Sequence, residues 1–228
     1  MTELRHGFQH ELVELERRSL AALDLVLVAL DRVVEALAHH DIELAQIVID
    51  DDARIDAVYA DVHDAIIDVL ARQAPVAGDL RLLAALLHVV RFAERMGNQC
   101  VSVAKLLPLS GHEPPVRAEI LDRVVEMGRC ARAEVVQCRR SFAARDVWMA
   151  EDLVDRDRDV NRLNREIFRL AVEIGGDADT REWAISMTLA ARAFERVGDN
   201  AVDVGEQTAF LATGLFREFS SPSKVPGG

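Results

Sequence analysis

Glu195 and Asp199 stand four residues apart, and Asp203 follows at the same interval. On a helix that spacing lines carboxylates along one face, within reach of one another. Asp52 and Asp56 repeat the pair in the first half of the chain. Asp52 lies between Val48 and Ile55 on an otherwise apolar stripe, and Glu94 follows Leu87 and Val90 in the same manner. An acid on a buried or half-buried face needs a partner. Gly97 and Gly198 each come three residues after a glutamate. Glycine costs a helix about 1 kcal/mol relative to alanine, yet it lets a second helix or an ion approach the backbone. Helices packed about 8–10 Å apart could bring two such acid pairs into one oxygen-rich site. That chemistry suits a hard cation: Mg, Ca, Mn or ferric iron. The alternative is ordinary surface ion pairing with Arg54, Arg95 and Arg196.

Other chemistries have weaker signals. All seven histidines fall in the first half, and His6 and His10 share a face only near the chain's start, which predicts surface residues. Cys130 and Cys138 are eight residues apart, roughly 12 Å on a helix and too far for a disulfide. With Cys100 they read as small buried hydrophobes of a reducing compartment. A ferritin-type carboxylate oxidase needs Glu-x-x-His on two helices, and that spacing is found at Glu3–His6, outside the expected core. No glycine loop for phosphate and no dinucleotide fingerprint is present. No motif here points to a Ser/His/Asp or Cys/His catalytic arrangement.

These side chains must be positioned by helices. The chain has 228 residues, half of them apolar, with aromatics at only 5%. A core built from Ala, Leu, Val and Ile in this proportion favours helices. Phe8, Leu12, Leu15, Ala22, Val26, Leu30, Val33 and Leu37 step by threes and fours; Val116, Ile120, Val124, Met127, Ala131, Val135, Cys138 and Phe142 draw a matching stripe. Asp41 and Asp146 are expected N-caps of second helices. Pro75 is expected in the first turn of a third helix, and Pro108 to Pro115 in a link. Gly175-Gly176-Asp177 leads into the last helix, and residues 220–228 read as a disordered tail.

The helices form two sets. HDIELA at 40–45 aligns with RDVWMA at 145–150, a displacement of 105, and ERMGNQCVSV at 94–103 aligns with ERVGDNAVDV at 195–204, a displacement of 101. A shared E-R-x-G in a common order points to internal duplication. The expected fold is all-α: six helices in two tandem antiparallel three-helix bundles, spanning 1–109 and 114–219. With 27 basic against 39 acidic residues the net charge is −12, which opposes nucleic-acid binding. The best apolar run, 19–38, is broken by Asp24, Asp31, Arg32 and Glu35, so no membrane insertion is expected. Thr2-Glu3 heads a polar helix unlike a secretory leader, and a cytoplasmic location follows as the expectation.

RQAPVAGDLR at 72–81, the two E-R-x-G segments and the opening Phe8, Glu11, Leu12, Leu15, Glu16 pattern resemble the PhoU family of phosphate-signalling regulators. The resemblance runs from about residue 5 to 217. It implies a non-enzymatic, cytoplasmic protein that dampens the phosphate-starvation response. Its implied partners are the ATPase of a phosphate ABC transporter, a sensor histidine kinase and, in a homodimer, a second copy. An accessory role for another ion transporter is the alternative, as is a carboxylate-bridged metal-binding protein. Some family members carry metal clusters (Fe, Mn, Mg or Zn are the candidate ions) on D/E-x-x-x-D motifs. By resemblance one set is Asp52, Asp56, Glu94 and Asn98, and the other is Asp157, Asn161, Glu195 and Asp199. Asn98 and Asn161 replace carboxylates, so each set drops from four charges to three. Asp79, Arg81, Asp179 and Arg181 open the third helix of each set, where capping and ion pairing are favoured over partner contact.

Overall fold

The computed structural model describes residues 2–109 and 116–219. The expected tail and most of the expected link, including Pro114 and Pro115, lie outside the described residues. Helix α1 spans Thr2–His39, α2 Ile42–Gln73, α3 Ala77–Ala104 and the one-turn α4 Leu106–Leu109. In the second half, α5 spans Ala118–Ala144, α6 Val147–Glu151, α7 Leu153–Glu173 and α8 Ala178–Thr213. Among the described residues there is no strand. Six long rods carry the fold, because α6 and α7 are one helix interrupted at Asp152.

Local chemistry sets these limits. Asp41 accepts a hydrogen bond from the Leu44 N–H and Asp146 one from the Met149 N–H, so both cap their helices. His40 and Arg145 precede the caps with left-handed φ of 52° and 56°, the same turn in both copies. Asp177 caps α8 through the Thr180 N–H. Pro75 departs from expectation and lies outside α3. Ala74 closes α2 in the left-handed region, Val76 is extended at the N-cap, and the helix begins at Ala77.

The displacement of 105 also holds in the packing. Leu15, Ser19, Ala22, Leu23, Val26, Leu30, Val33, Ala36 and Leu37 are buried on α1; so are Ile120, Val124, Met127, Gly128, Ala131, Val135, Cys138, Ser141 and Phe142 on α5. Within each half the first and second helices pack on the third. Between halves, α3 lies along α8 and α1 along α5, so one hydrophobic core is continuous across both bundles. Small buried residues stand on both α3 and α8, Ala85, Ala93 and Ala104 on the first and Ala184, Ala190, Ala191 and Ala201 on the second, and small side chains let packed backbones run close. Three ion pairs zip α1 to α5: Glu16–Arg145 at 2.8 Å, Asp24–Arg139 at 2.6 Å, and Asp31–Arg132.

Candidate carboxylate sites

In the first bundle α2 supplies Asp52 and Asp56, and α3 supplies Glu94, Gly97 and Asn98. A Cβ added to Gly97 would lie 3.0 Å from Asp52 Oδ1 and 2.8 Å from Ile55 Cδ1, so the missing side chain is what brings the helices together. Glu94 is already engaged: Arg91 donates to it at 3.1 Å and the Asn98 amide at 2.9 Å. Asp56 and Asn98 are exposed, and Asp52 is half-buried. Burial raises the Asp52 carboxyl above its ordinary range, with Asp56 and Glu94 adding to the rise and Lys105 opposing it. Ala29 and Arg32 of α1 line the cavity beside Asp52. Arg32 pairs with Asp51, which Arg54 also approaches at 3.7 Å.

The second bundle places the same positions deeper. Asp157 of α7 is 1% exposed and Asn161 7%, whereas Glu195 of α8 is 8% exposed and Asp199 is at the surface. The Asn161 amide donates to Asp157 at 2.6 Å, and Glu195 pairs with Arg192. A fifth acid, Glu134 of α5, joins them. It is 1% exposed, and neither carboxyl oxygen has a hydrogen-bond partner. A Cβ on Gly198 would lie 2.6 Å from Glu134 Oε2 and 3.0 Å from Asp157 Oδ1, so both acids occupy the space that the glycine leaves. Burial first, then the charges of Asp157 and Asp199, push Glu134 up to about 9; Arg156 opposes this and Asp159 adds to it. At neutral pH Glu134 therefore holds a proton.

Glu134 escapes the i, i+4 pairing of acids that marks the other sites, because it has Cys130 and Cys138 at that spacing. The usable signal was its place between Ala131 and Val135 on the α5 stripe, the same signal that marked Asp52. Its counterpart one displacement earlier is Ala29. As the side chains stand, no three His, Cys, Asp or Glu groups among the described residues converge closely enough to hold a metal ion. Arg192 draws Glu195 aside, and Asn161 turns its N–H rather than its oxygen toward Asp157.

The remaining four residues sit at helix ends. Asp79 and Asp179 occupy the first turns of α3 and α8, where the dipole favours an acid. Arg181 donates to the Gly176 carbonyl at 2.6 Å. Arg81 reaches across the bundles to the end of α8, with Nη1 3.2 Å from where a Gly214 Cβ would be; Gly214 has a φ of 75°. A guanidinium there complements the negative end of the helix dipole.

The PhoU domain model matches residues 21–107 and again 124–208, once in each half. The "Phosphate-specific transport system accessory protein PhoU homolog 2" of Mycobacterium tuberculosis is 30% identical over 93% of this chain and 100% of its own length. PhoU homolog 1 of Mycobacterium leprae is 30% identical over 98% of this chain and 99% of its own. The crystal structure of PhoU from Pseudomonas aeruginosa superposes with a TM-score of 0.82 at 27% identity, covering 91% of this chain and 100% of that one. That of the Streptococcus pneumoniae phosphate transport regulator gives 0.81 at 23% identity over 92% and 99%, a likeness of fold. Two matched domains in a twice-repeated three-helix frame, with full-length relatives at this identity, place the chain in the PhoU family of phosphate-transport and phosphate-signalling regulators.

Proposed function

We propose that the protein is a cytoplasmic adaptor between the ATPase of a phosphate ABC transporter and a sensor histidine kinase, lowering starvation signalling when phosphate is ample. The observation that carries this reading is the continuous core joining two bundles of one family. A shared core holds a surface on one bundle at a fixed orientation to a surface on the other, as a two-partner adaptor requires. No described helix is long and apolar enough to cross a membrane, so membrane proximity would come from the partners. The test is affinity purification from cells grown with ample phosphate, with mass spectrometry of what co-purifies. Recovery of both the ATPase and the kinase is expected; recovery of only another ion transporter would replace the phosphate assignment.

A second reading concerns the second bundle, where the unpartnered oxygens of buried Glu134 beside Asp157 favour a bound hard cation. The residues that would hold it are Glu134, Asp157, Glu195, Asp199 and, after an amide flip, the oxygen of Asn161. A cation there would neutralise the acids and tie α5, α7 and α8 together. The first bundle fits such an ion poorly, because Ala29 offers no ligand and Arg91 and Asn98 already occupy Glu94. Elemental analysis of protein equilibrated with Mn, Fe, Mg or Zn should find metal that the Glu134→Gln, Asp157→Asn variant lacks. Equal metal in both proteins would end this reading.

A further inference from the structure

The duplication that preserves the core reverses the charge of one outer face. On the second bundle a groove of about 570 Å3 runs between α5 and the α6–α7 rod. Ala133, Val136 and Met149 line it, the first exposed and the other two half-buried, and Arg132, Arg140 and Arg156 edge it. Gln137 and Asp152 bound it as well, the amide donating to Asp152 at 2.9 Å. Asp31 holds Arg132 and Asp152 holds Arg156, whereas Arg140 is exposed. Trp148 stands one turn before Asp152 and is 84% exposed, while the other tryptophan, Trp183, is 4% exposed. One displacement of 105 earlier, Arg140 becomes Glu35, Arg156 becomes Asp51 and Trp148 becomes Glu43. The chain as a whole carries −12, whereas the lining of this groove holds three arginines against one aspartate.

We propose that this groove docks an acidic amphipathic helix of a partner protein, its apolar face on Ala133, Val136 and Met149 and its carboxylates on the arginine rim. Tryptophan and arginine are the residues that dominate interface energetics, and Trp148 and Arg140 both stand exposed beside this groove. A groove between two packed helices with apolar side chains in its lining is the shape that a helix fills. Asp152 projects a carboxylate into the same groove, which disfavours a small free anion. A partner that spreads its charges along the rim can avoid that carboxylate.

The proposal rests on the adaptor reading in needing a protein partner, and the experiment separates the two. The full chain, with a photo-cross-linking amino acid at Val136, is irradiated in cells grown with ample phosphate. The attached peptide is then sequenced. Recovery of the transporter ATPase and kinase is compared for wild type, Arg140→Glu with Arg156→Glu, Trp148→Ala, and the distant control Arg17→Glu, with helicity checked by circular dichroism. The expected result is an acidic partner segment at Val136 and roughly tenfold less of one partner with the reversal and with Trp148→Ala, unaffected by Arg17→Glu. Acid-to-arginine changes in that segment should restore binding to the reversed groove, which a misfolded variant would not allow. Undiminished recovery by both groove variants overturns the proposal and leaves the adaptor reading standing. A basic segment, a lipid or a second copy at Val136 also overturns it. Failure of wild type to recover either partner removes both readings.

Discussion

Gly97 and Gly198 hold the same place in the two bundles and open onto different chemistry. At Gly97 the space is filled by Ile55 and a half-buried Asp52, and the nearby glutamate accepts hydrogen bonds from an arginine and an amide. At Gly198 it is filled by two acids buried to 1% exposure, one of them a glutamate with no hydrogen bond. The backbone device is shared, but the charge it serves has diverged. Duplication has kept what sets the distance between helices and released what sits in the gap. The outer faces behave alike: the buried registers of α1 and α5 coincide, while Glu35 and Arg140 stand at one position with opposite signs.

The core comparison breaks most visibly at Leu23 and Gly128. Both are buried and equivalent, yet one side is large and the other empty. A Cβ at Gly128 would lie 2.6 Å from Val34 Cγ2 and 3.0 Å from Phe194 Cζ, so α1 and α8 already occupy that volume. Leu23→Ala should cost ~3 kcal/mol through the cavity it leaves. Gly128→Leu should cost ~2–3 kcal/mol or abolish folding, through overpacking. Urea unfolding checks both. A Gly128→Leu protein as stable as wild type would mean that the two first helices are interchangeable at this depth.

Next in size is the pH dependence of the second bundle. Asp157, Asp159 and Arg156 face Glu134 from α7 and Asp199 faces it from α8. With its carboxyl raised from 4.5 to about 9, the folded state keeps a proton that the unfolded state releases. The stabilisation is thus complete below the unfolded value and is lost as pH rises toward the folded one. Chelator-treated protein should lose stability from about pH 5 to 9, at up to ~1.4 kcal/mol per unit from this group. Glu134→Gln should flatten that slope and be more stable than wild type at pH 8, by up to ~4 kcal/mol. Asp52→Asn should move the profile in the same direction and by less, because Asp52 is half-exposed. Equal slopes in wild type and Glu134→Gln would show that Glu134 is ionised in the fold.

These two predictions also mark what could be read from the sequence. The stripes, the Asp41 and Asp146 caps, and the order of the rods were legible because each depends on neighbours within one or two turns. Gly97 and Gly198 were legible as points of close approach. The break at Asp152 was not, since nothing there resembles a helix breaker. Nor was the α3–α8 contact legible: periodicity tells which face is buried, but not against which helix. In α8 the burial of Glu195, Asn200, Glu206 and Gln207 beside the apolar residues reflects neighbours on nearly every side. Glu134 is the same kind of case. Its surroundings come from α7 and α8, whose approach is a tertiary fact.

A smaller effect tests the two glycines directly. Gly97→Ala needs only an Ile55 methyl and the Asp52 carboxylate to shift, against a helix-propensity gain, so its stability should stay within ~1 kcal/mol of wild type. Gly198→Ala must move Glu134, whose carboxyl would lie 2.6 Å from the new methyl. If the second bundle holds a cation, that substitution should weaken it by about tenfold, whereas Gly97→Ala should leave it unchanged. Isothermal titration with Mn reads both. Equal loss in the two variants would point to a site shared between the bundles.

The smallest expected effect concerns how the bundles are joined. The Glu16–Arg145, Asp24–Arg139 and Asp31–Arg132 pairs look like a clasp between α1 and α5, and they are partly exposed. Exposed pairs contribute ~0.2–1 kcal/mol each and weaken with salt. The α3–α8 contact, by contrast, joins two helices whose apolar residues, Ala93 and Met96 on one and Phe194 and Val197 on the other among them, belong to the shared core. Asp24→Asn with Asp31→Asn should therefore cost ~1 kcal/mol at low salt and less at high salt, with unfolding still a single transition. Two resolved transitions in that variant would mean that charge, rather than the shared core, holds the halves together. The fixed orientation on which a two-partner adaptor depends would then rest on pairs that salt can loosen.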